Sequence, residues 1–331
     1  MKARIRGNRP QGDDELINRL LSYLKKSFPA TILELEQIRP AVFYIRSTMG
    51  EFIVKGYSSL NRLILQENFT AILKKHGFRD SYSFMRPGKR EPFYADGLYF
   101  GYIQYIPHHP KHFSFSNGDD RAGGLMVLKK FHSVTEEIAE SYQLTIPLAK
   151  QIEKWKDRLN RFSANESVIK PYLGTKLFEE IINWADFGLK GMKKNAGIFS
   201  NGPKVVLHGD VAHHNFLRAL NGRIYLIDFD LLSIGPPVLD YLQYANRILP
   251  FIQWSLGKLI AFNQFAALMR NEAFLYALIY PTDILREWNR LVKVGDPLDF
   301  RMLSQVKDLT LHQFNARRKF IKTIKSMIDS T

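Results

Sequence analysis

Two short segments hold the densest set of oxygen-bearing side chains in this 331-residue chain: LHGDVAHHNFL at 207–217 and YLIDFD at 225–230. Asp210 and Asn215 are separated by a short loop sequence, and Asp228 closes an otherwise apolar run. Carboxylate and amide oxygens of this kind suit a Mg ion, which wants hard ligands and keeps coordination positions open for phosphate oxygens. On that reading Asp210 is the base that orients a hydroxyl, Asn215 a ligand to one Mg and Asp228 the principal metal carboxylate. Taken singly, Asp210 could cap a turn and Asn215 could hold loop backbone. Asp228 is harder to place so quietly, because a carboxylate that follows Leu226 and Ile227 is costly to bury without a charge or metal partner.

The elements that must position these residues follow from pattern. Residues 31–38, 42–48 and 52–56 read as an antiparallel meander. LNRLILQENFTAILKKHG is a helix that Gly77 stops, and EPFYA and GLYFGYIQYI form a hairpin around Asp96-Gly97. PHHPKHFSFSNGDD reads as loop, and helices dominate from Arg121. One strand pair is embedded among them, where VVLHGD ends an apolar run, NFLRAL begins the next segment and RIYLIDF follows the Asn221-Gly222 turn; Pro236-Pro237 open a further helix. The basic, amphipathic HQFNARRKFIKTIKSMI is expected to dock on its own lobe. The result is an α+β chain with an N-terminal sheet lobe, 1–105, and a mostly helical lobe, 106–331.

Composition narrows the function classes. The absence of cysteine removes disulfides, thiolate nucleophiles and cysteine-ligated zinc or iron. No apolar h-region follows the N-terminal charges and no long uncharged apolar stretch occurs, so a soluble cytoplasmic protein without a transmembrane segment is expected. The formal charge of +15 favours anionic partners such as nucleotides, nucleic acid, anionic lipid or an acidic protein coat. Nucleic acid is set aside, because the basic residues are dispersed and no zinc-finger or RNA-recognition pattern is present.

His208-Gly209-Asp210, Asn215 and Ile227-Asp228-Phe229-Asp230 resemble, in order and spacing, the motifs of the aminoglycoside phosphotransferase and choline kinase branch of the protein-kinase-like superfamily. IDFD followed by SIGPPVLDYLQYANRIL looks most like the bacterial spore-coat kinase-like proteins of the CotS type. The resemblance implies a bilobal kinase-like fold and use of ATP and Mg. Asp210 resembles the catalytic aspartate, with His208 bracing its loop. Asn215 and Asp228 resemble the metal-binding pair, and Asp240 a buried aspartate in the following helix. Asp230 is a second metal ligand or a nearby supporting charge; it shares a face with Asp228 only if the strand extends that far.

The resemblance also asks for a strand lysine on the phosphates and a helix glutamate to hold it, and Lys55 and Glu67 fit in that order. Without the downstream motif Lys55 could simply snorkel and Glu67 pair with Arg62 or Lys74. Adenine is expected between the lobes near Gln104, Tyr105 and Ile106.

Two departures stand out. Arg39-Pro40-Ala41 occupies the place of a glycine-rich phosphate loop, and VAHHN puts His213 and His214 before the asparagine. The expected activity is ATP-dependent phosphoryl transfer to a hydroxyl of a small molecule or protein. The alternative is a catalytically weak or inactive kinase-like structural or interaction protein. In either case the CotS-type resemblance implies association with spore-coat proteins. A polycationic aminoglycoside or a choline acceptor fits poorly with the charge of +15.

Overall fold

The structure is a computed structural model that describes residues 4–6, 13–86, 91–293 and 299–330. It divides into two compact units. Met1–His112 and Phe216–Asp230 form the first, and Phe113–Asn215 and Leu231–Thr331 the second. Compactness therefore groups the 216–230 hairpin with the sheet, although in sequence it lies among helices.

In the first unit the elements run β1 (Arg4–Arg6), α1 (Asp13–Ser27), β2 (Ile32–Arg39), β3 (Val42–Ser47), β4 (Gly50–Tyr57) and α2 (Leu60–Lys75). They continue through β5 (Phe84–Met85), β6 (Phe93–Ala95) and β7 (Leu98–Gln104). The sheet order is β1-β2-β3-β4-β7-β5, with β6 also on β7, and every pairing but β1 with β2 is antiparallel. Asp96 and Gly97 both have positive φ, as the two-residue β6–β7 turn requires. Ser59 caps α2 by accepting from the Arg62 N–H, and Lys74 and Lys75 complement its C-terminal end.

No helix is expected from the sequence before residue 31, yet α1 is integral to the core. Leu16, Ile17, Leu20 and Leu24 form a stripe at helical spacing that packs with Leu35, Phe43, Ile45, Phe52, Val54 and Phe100. One face of the sheet would otherwise meet water.

The second unit begins with α3 (Gly118–Ile138), α4 (Gln151–Ala164), α5 (Glu166–Leu173), α6 (Thr175–Lys194) and α7 (Gly197–Ser200). Asn117 caps α3 by accepting from the N–H groups of Asp119 and Asp120, so the helix starts within the segment expected as loop. Next comes β8 (Val205–Leu207). The hairpin of the first unit, β9 (Phe216–Arg218) and β10 (Ile224–Leu226), intervenes before β11 (Ser233–Gly235), which pairs antiparallel with β8.

The remaining helices are α8 (Val238–Ile248), α9 (Leu256–Ile260), α10 (Asn263–Leu268), α11 (Glu272–Ile279), α12 (Thr282–Lys293), α13 (Phe300–Leu311) and α14 (Phe314–Asp329). Trp155 of α4 stacks on Tyr280 at 4.1 Å between ring centroids, and Tyr280 donates its hydroxyl to the Trp155 carbonyl. The basic C-terminal helix docks within its own unit. Phe320, Ile321 and Ile324 are buried, and Arg317 lies over Trp254 and pairs with Asp283. No described helix is long and apolar enough to cross a membrane.

Candidate active site

In the first unit Lys55 sits on β4 opposite Val42 of β3 and Gly101 of β7. Its Nζ donates to Asp228 Oδ1 and to Asp230 Oδ2, each at 2.7 Å. The two aspartates do not meet through strand alternation. β10 ends at Leu226, and Asp228 has φ of 71°, so a left-handed turn instead of an extended strand brings both carboxylates to one ammonium. Aspartate tolerates that conformation better than most residues, and strain of this kind is concentrated at functional sites. Burial raises the Asp230 pKa; Lys55 opposes the shift and the adjacent Asp228 charge reinforces it. Two carboxylates share one lysine, which leaves an excess negative charge.

The polar helix residue that contacts this motif is Gln66. It is buried, and its Nε2 donates to the Phe229 carbonyl at 2.6 Å, while Phe69 and Tyr82 pack their rings on Phe229. Glu67 pairs with Arg86 at 2.6 Å, and among the described residues no ion pair joins it to Lys55. Lys55 has satisfied its charge on the aspartates, and Arg86 is within reach of the glutamate. Gln66 escapes sequence reasoning because a neutral amide beside Glu67 carries no distinctive signal.

The turn between β2 and β3 consists of Pro40 and Ala41, with Arg39 paired to Val42. Ala41 has φ of 57°, so proline followed by a left-handed residue gives the pattern of a type II turn. The Ala41 carbonyl accepts from the Gly56 N–H at 2.8 Å.

Beyond β7, Gln104 is exposed and its N–H donates to the Ser83 carbonyl, while the Tyr105 ring meets Tyr44 edge-on at 5.1 Å. Burial raises the Tyr105 pKa, and Glu51 and Glu36 reinforce it. Ile106 makes no backbone hydrogen bond among the described residues. The following residues are stitched to the β9–β10 hairpin: Leu220 N–H donates to the Pro107 carbonyl and His109 N–H to the Arg218 carbonyl.

In the second unit the loop after β8 is held by one face of α8. Asp240, 2% exposed, accepts from the His208 N–H at 2.8 Å, the Gly209 N–H at 3.0 Å and the His132 Nε2 at 2.9 Å. Gln243 donates to the Gly209 carbonyl at 2.9 Å and accepts from the Val211 N–H. Arg247 reaches Asp210 Oδ1 with Nη2 at 3.2 Å. These residues share one helical face by their spacing. The sequence reading singles out Asp240 but misses Gln243 and Arg247, whose spacing from it in DYLQYANR was the available signal.

His208 is fully buried and its Nδ1 accepts from the Asp210 N–H at 3.3 Å, a bond that places any ring proton on Nε2. Asn215 donates through Nδ2 to the Asp210 carbonyl at 2.8 Å and to Asp210 Oδ2 at 3.2 Å. His214 stands 3.9 Å from that oxygen, and the His213 ring faces Phe115.

The glycine of the HGD triplet has a steric reason. Gly209 has φ of +77°, and a Cβ there would lie 2.1 Å from the Leu231 carbonyl oxygen, a backbone atom. Gly209→Ala is accordingly expected to cost about 3 kcal/mol or more of unfolding free energy, read from urea denaturation.

One atom bears directly on metal binding. Asn215 is 2% exposed, and its Oδ1 has no hydrogen-bond partner while its Nδ2 is doubly engaged. An unsatisfied buried oxygen of this type fits a hard cation. Among the described residues no group of three or more His, Asp or Glu forms a ready-made metal cage. Mg is held in other ways too, through one or two carboxylates together with waters and substrate phosphates.

A sequence profile described as the Phosphotransferase enzyme family matches residues 33–270, a span that contains Lys55, Asp210, Asn215, Asp228 and Asp240. The chain belongs to that family. This phosphotransferase-family protein is similar in fold to an aminoglycoside phosphotransferase from Alicyclobacillus acidocaldarius, with a TM-score of 0.73 and 15% identity over 93% of this chain and 96% of the other. Macrolide 2'-phosphotransferase MphH from Brachybacterium faecium gives a TM-score of 0.55 at 14% identity, covering 89% of this chain and 97% of the other. Amicoumacin kinase hAmiN, solved with AMP-PNP, Ca2+ and Ami, gives 0.56 at 14% identity, with 94% of each chain covered. At such identities the likeness establishes the bilobal α+β kinase-like fold, with a small antiparallel-sheet lobe and a larger helical lobe. No curated protein matches the phosphotransferase-family chain significantly.

Proposed function

We propose that this chain is an ATP- and Mg-dependent phosphotransferase acting on a hydroxyl. The observation that carries this reading is Lys55: a strand lysine meets, across 173 and 175 residues of sequence, the two carboxylates of the IDFD motif. In the reaction the P–O bond from the γ-phosphorus to the β–γ bridging oxygen breaks, and a P–O bond to the acceptor hydroxyl oxygen forms. The hydroxyl proton passes to Asp210 and then to solvent, and ADP leaves. Mg, when bound, neutralises charge on the β- and γ-phosphates; Asn215 Oδ1 and the Asp228 carboxylate are the oxygens that would hold it, with Asp230 as a second carboxylate.

The remaining assignments follow the same reading. Lys55 neutralises phosphate charge, His208 braces Asp210, and the adenine edge is taken near Gln104, Tyr105 and Ile106. Glu67 supports the phosphate end of the first unit through charge, while Gln66 holds the backbone of the metal motif. The lobe division at 105/106 belongs to this reading, as do cytoplasmic residence and the spore-coat link suggested by IDFD and 233–249.

The Pro40-Ala41 turn favours a second reading, a non-catalytic kinase-like body that assembles with spore-coat proteins. Calorimetric titration with ATP, with and without Mg, separates the two. Saturable Mg-dependent binding is expected in the wild type, weakened at least ~10-fold in Asp228→Asn by loss of a charge-assisted contact. An absence of binding by the wild type up to millimolar ATP would put the structural reading first.

A further inference from the structure

Within the second unit the surroundings of Asp210 are cationic. Arg247 of α8 already reaches its carboxylate at 3.2 Å. Arg158 of α4 donates Nη1 to the carbonyl and hydroxyl of Thr282 at the start of α12, and its own carbonyl accepts from Asn289 of α12 at 2.8 Å. Those bonds lock α4 against α12 and fix Arg158 at the start of the helix that carries Arg286. Lys154 stands one helical turn before Arg158 on α4 and reaches solvent.

Lys154 and Arg247 act on Asp210, and Arg286 acts on Lys154, Arg158 and Arg247. Burial lowers the pKa of Lys154, with Arg158 and Arg286 reinforcing the shift and Asp210 opposing it. Burial likewise lowers Arg247, where Arg286 adds to the effect and Asp210 again opposes it. Arg158 is lowered by burial and by Arg286 and Arg161, against Tyr280 and Asp283.

The carboxylates of this neighbourhood are engaged. Asp283 is bound through both oxygens by Arg317, Glu287 pairs with Arg286 at 2.8 Å and Arg290 at 3.7 Å, and Asp210 is paired with Arg247. Lys154 and Arg158 have no ion-pair partner among the described residues. Mutually repelling cations around one carboxylate are stable only at a cost that an arriving anion relieves, and guanidinium groups suit the oxyanions of phosphate and carboxylate.

We propose that the acceptor is itself an anion, a hydroxyl compound carrying a phosphate or carboxylate group that Lys154, Arg158 and Arg286 bind while its hydroxyl meets Asp210. This rests on the phosphotransferase reading and gives its substrate a chemical class. A polycationic acceptor meets repulsion at the same place.

The test uses the full-length chain, with inorganic phosphate and malonate as probes at constant ionic strength set with sodium chloride. Binding is followed by calorimetry. Phosphate alone, malonate alone or both binding identifies which oxyanion the cluster prefers. Lys154→Ala is expected to weaken the preferred anion about 10-fold and Lys154→Glu further, with circular dichroism confirming that both are folded. Asp210→Asn is expected to tighten it several-fold by removing the opposing charge, a response that a distant surface site would not give.

Anion binding that is absent from the wild type, or indifferent to Lys154 and Asp210, overturns the proposal. A wild type that binds the anion as described but never binds Mg-ATP overturns the phosphotransferase reading itself, and the acceptor role with it. The two failures are therefore distinguishable.

Discussion

Asp210→Asn is expected to leave the chain folded and able to bind Mg-ATP, yet to lower phosphoryl transfer roughly 10²–10⁴-fold, the range for losing a positioned acid-base group. The substitution keeps the shape of the side chain and an oxygen for Asn215, whose Nδ2 lies 3.2 Å from Oδ2. His208 still receives the backbone N–H of residue 210, and Asp240 and Gln243 still hold the loop. What disappears is the negative charge that, in the proposed reaction, aligns the acceptor hydroxyl and takes its proton. Single-turnover transfer from γ-labelled ATP, with a pool of phosphorylated and carboxylated hydroxy compounds as acceptors, reads the effect. A loss smaller than about tenfold would remove Asp210 from the chemistry and leave it a role in loop structure.

Asp240→Ala is expected to act on stability, at about 3–5 kcal/mol, because removing one member of a buried charged network strands the others. Its carboxylate, 2% exposed, serves the backbone N–H groups of His208 and Gly209 and the buried His132 ring. Chemical denaturation measures the difference, and Asp240→Asn, which keeps one acceptor oxygen, should fall between the two. Acid supplies an independent check. Burial pushes the Asp240 pKa up, but His132 and His208 outweigh it and hold the group below the ordinary carboxylate range. A depressed folded-state pKa means that this stabilisation is present above the unfolded value of about 3.9 and is lost as pH falls through the folded one. The stability gap between wild type and Asp240→Ala should be level near neutrality and narrow only below about pH 4.

The legible parts of the molecule are those whose signals are local. Alternation and turn residues located β2, β3, β4 and the Asp96-Gly97 hairpin, and the apolar spacing of 60–75 located α2. The polar motif residues were legible because polar groups at the ends of apolar runs are costly unless used. What escaped depends on partners far away in sequence. Lys55 pairs with aspartates instead of with Glu67 because a left-handed residue at 228 turns both carboxylates toward it, and nothing in YLIDFD announces that φ. Gln66 and Gln243 grip backbone carbonyls and amides, a task for which their amides are well suited and which leaves no compositional trace. The apolar stripe of α1 at Leu16, Ile17, Leu20 and Leu24 becomes meaningful only with the distant sheet face that it covers.

The Pro40-Ala41 turn has a consequence for the thermodynamics of nucleotide capture in the proposed reaction. A glycine-rich loop stays mobile until it closes on phosphates, and each residue it immobilises then gives up roughly 1–2 kcal/mol of backbone entropy. Here proline restricts one torsion, Ala41 is held in its left-handed state, and the Gly56 N–H pins its carbonyl at 2.8 Å. That ordering occurs when the chain folds, before any ligand arrives. The segment therefore has little freedom left to lose, so in the proposed reaction exchange of ATP for ADP is expected to depend on diffusion and charge instead of opening of this turn.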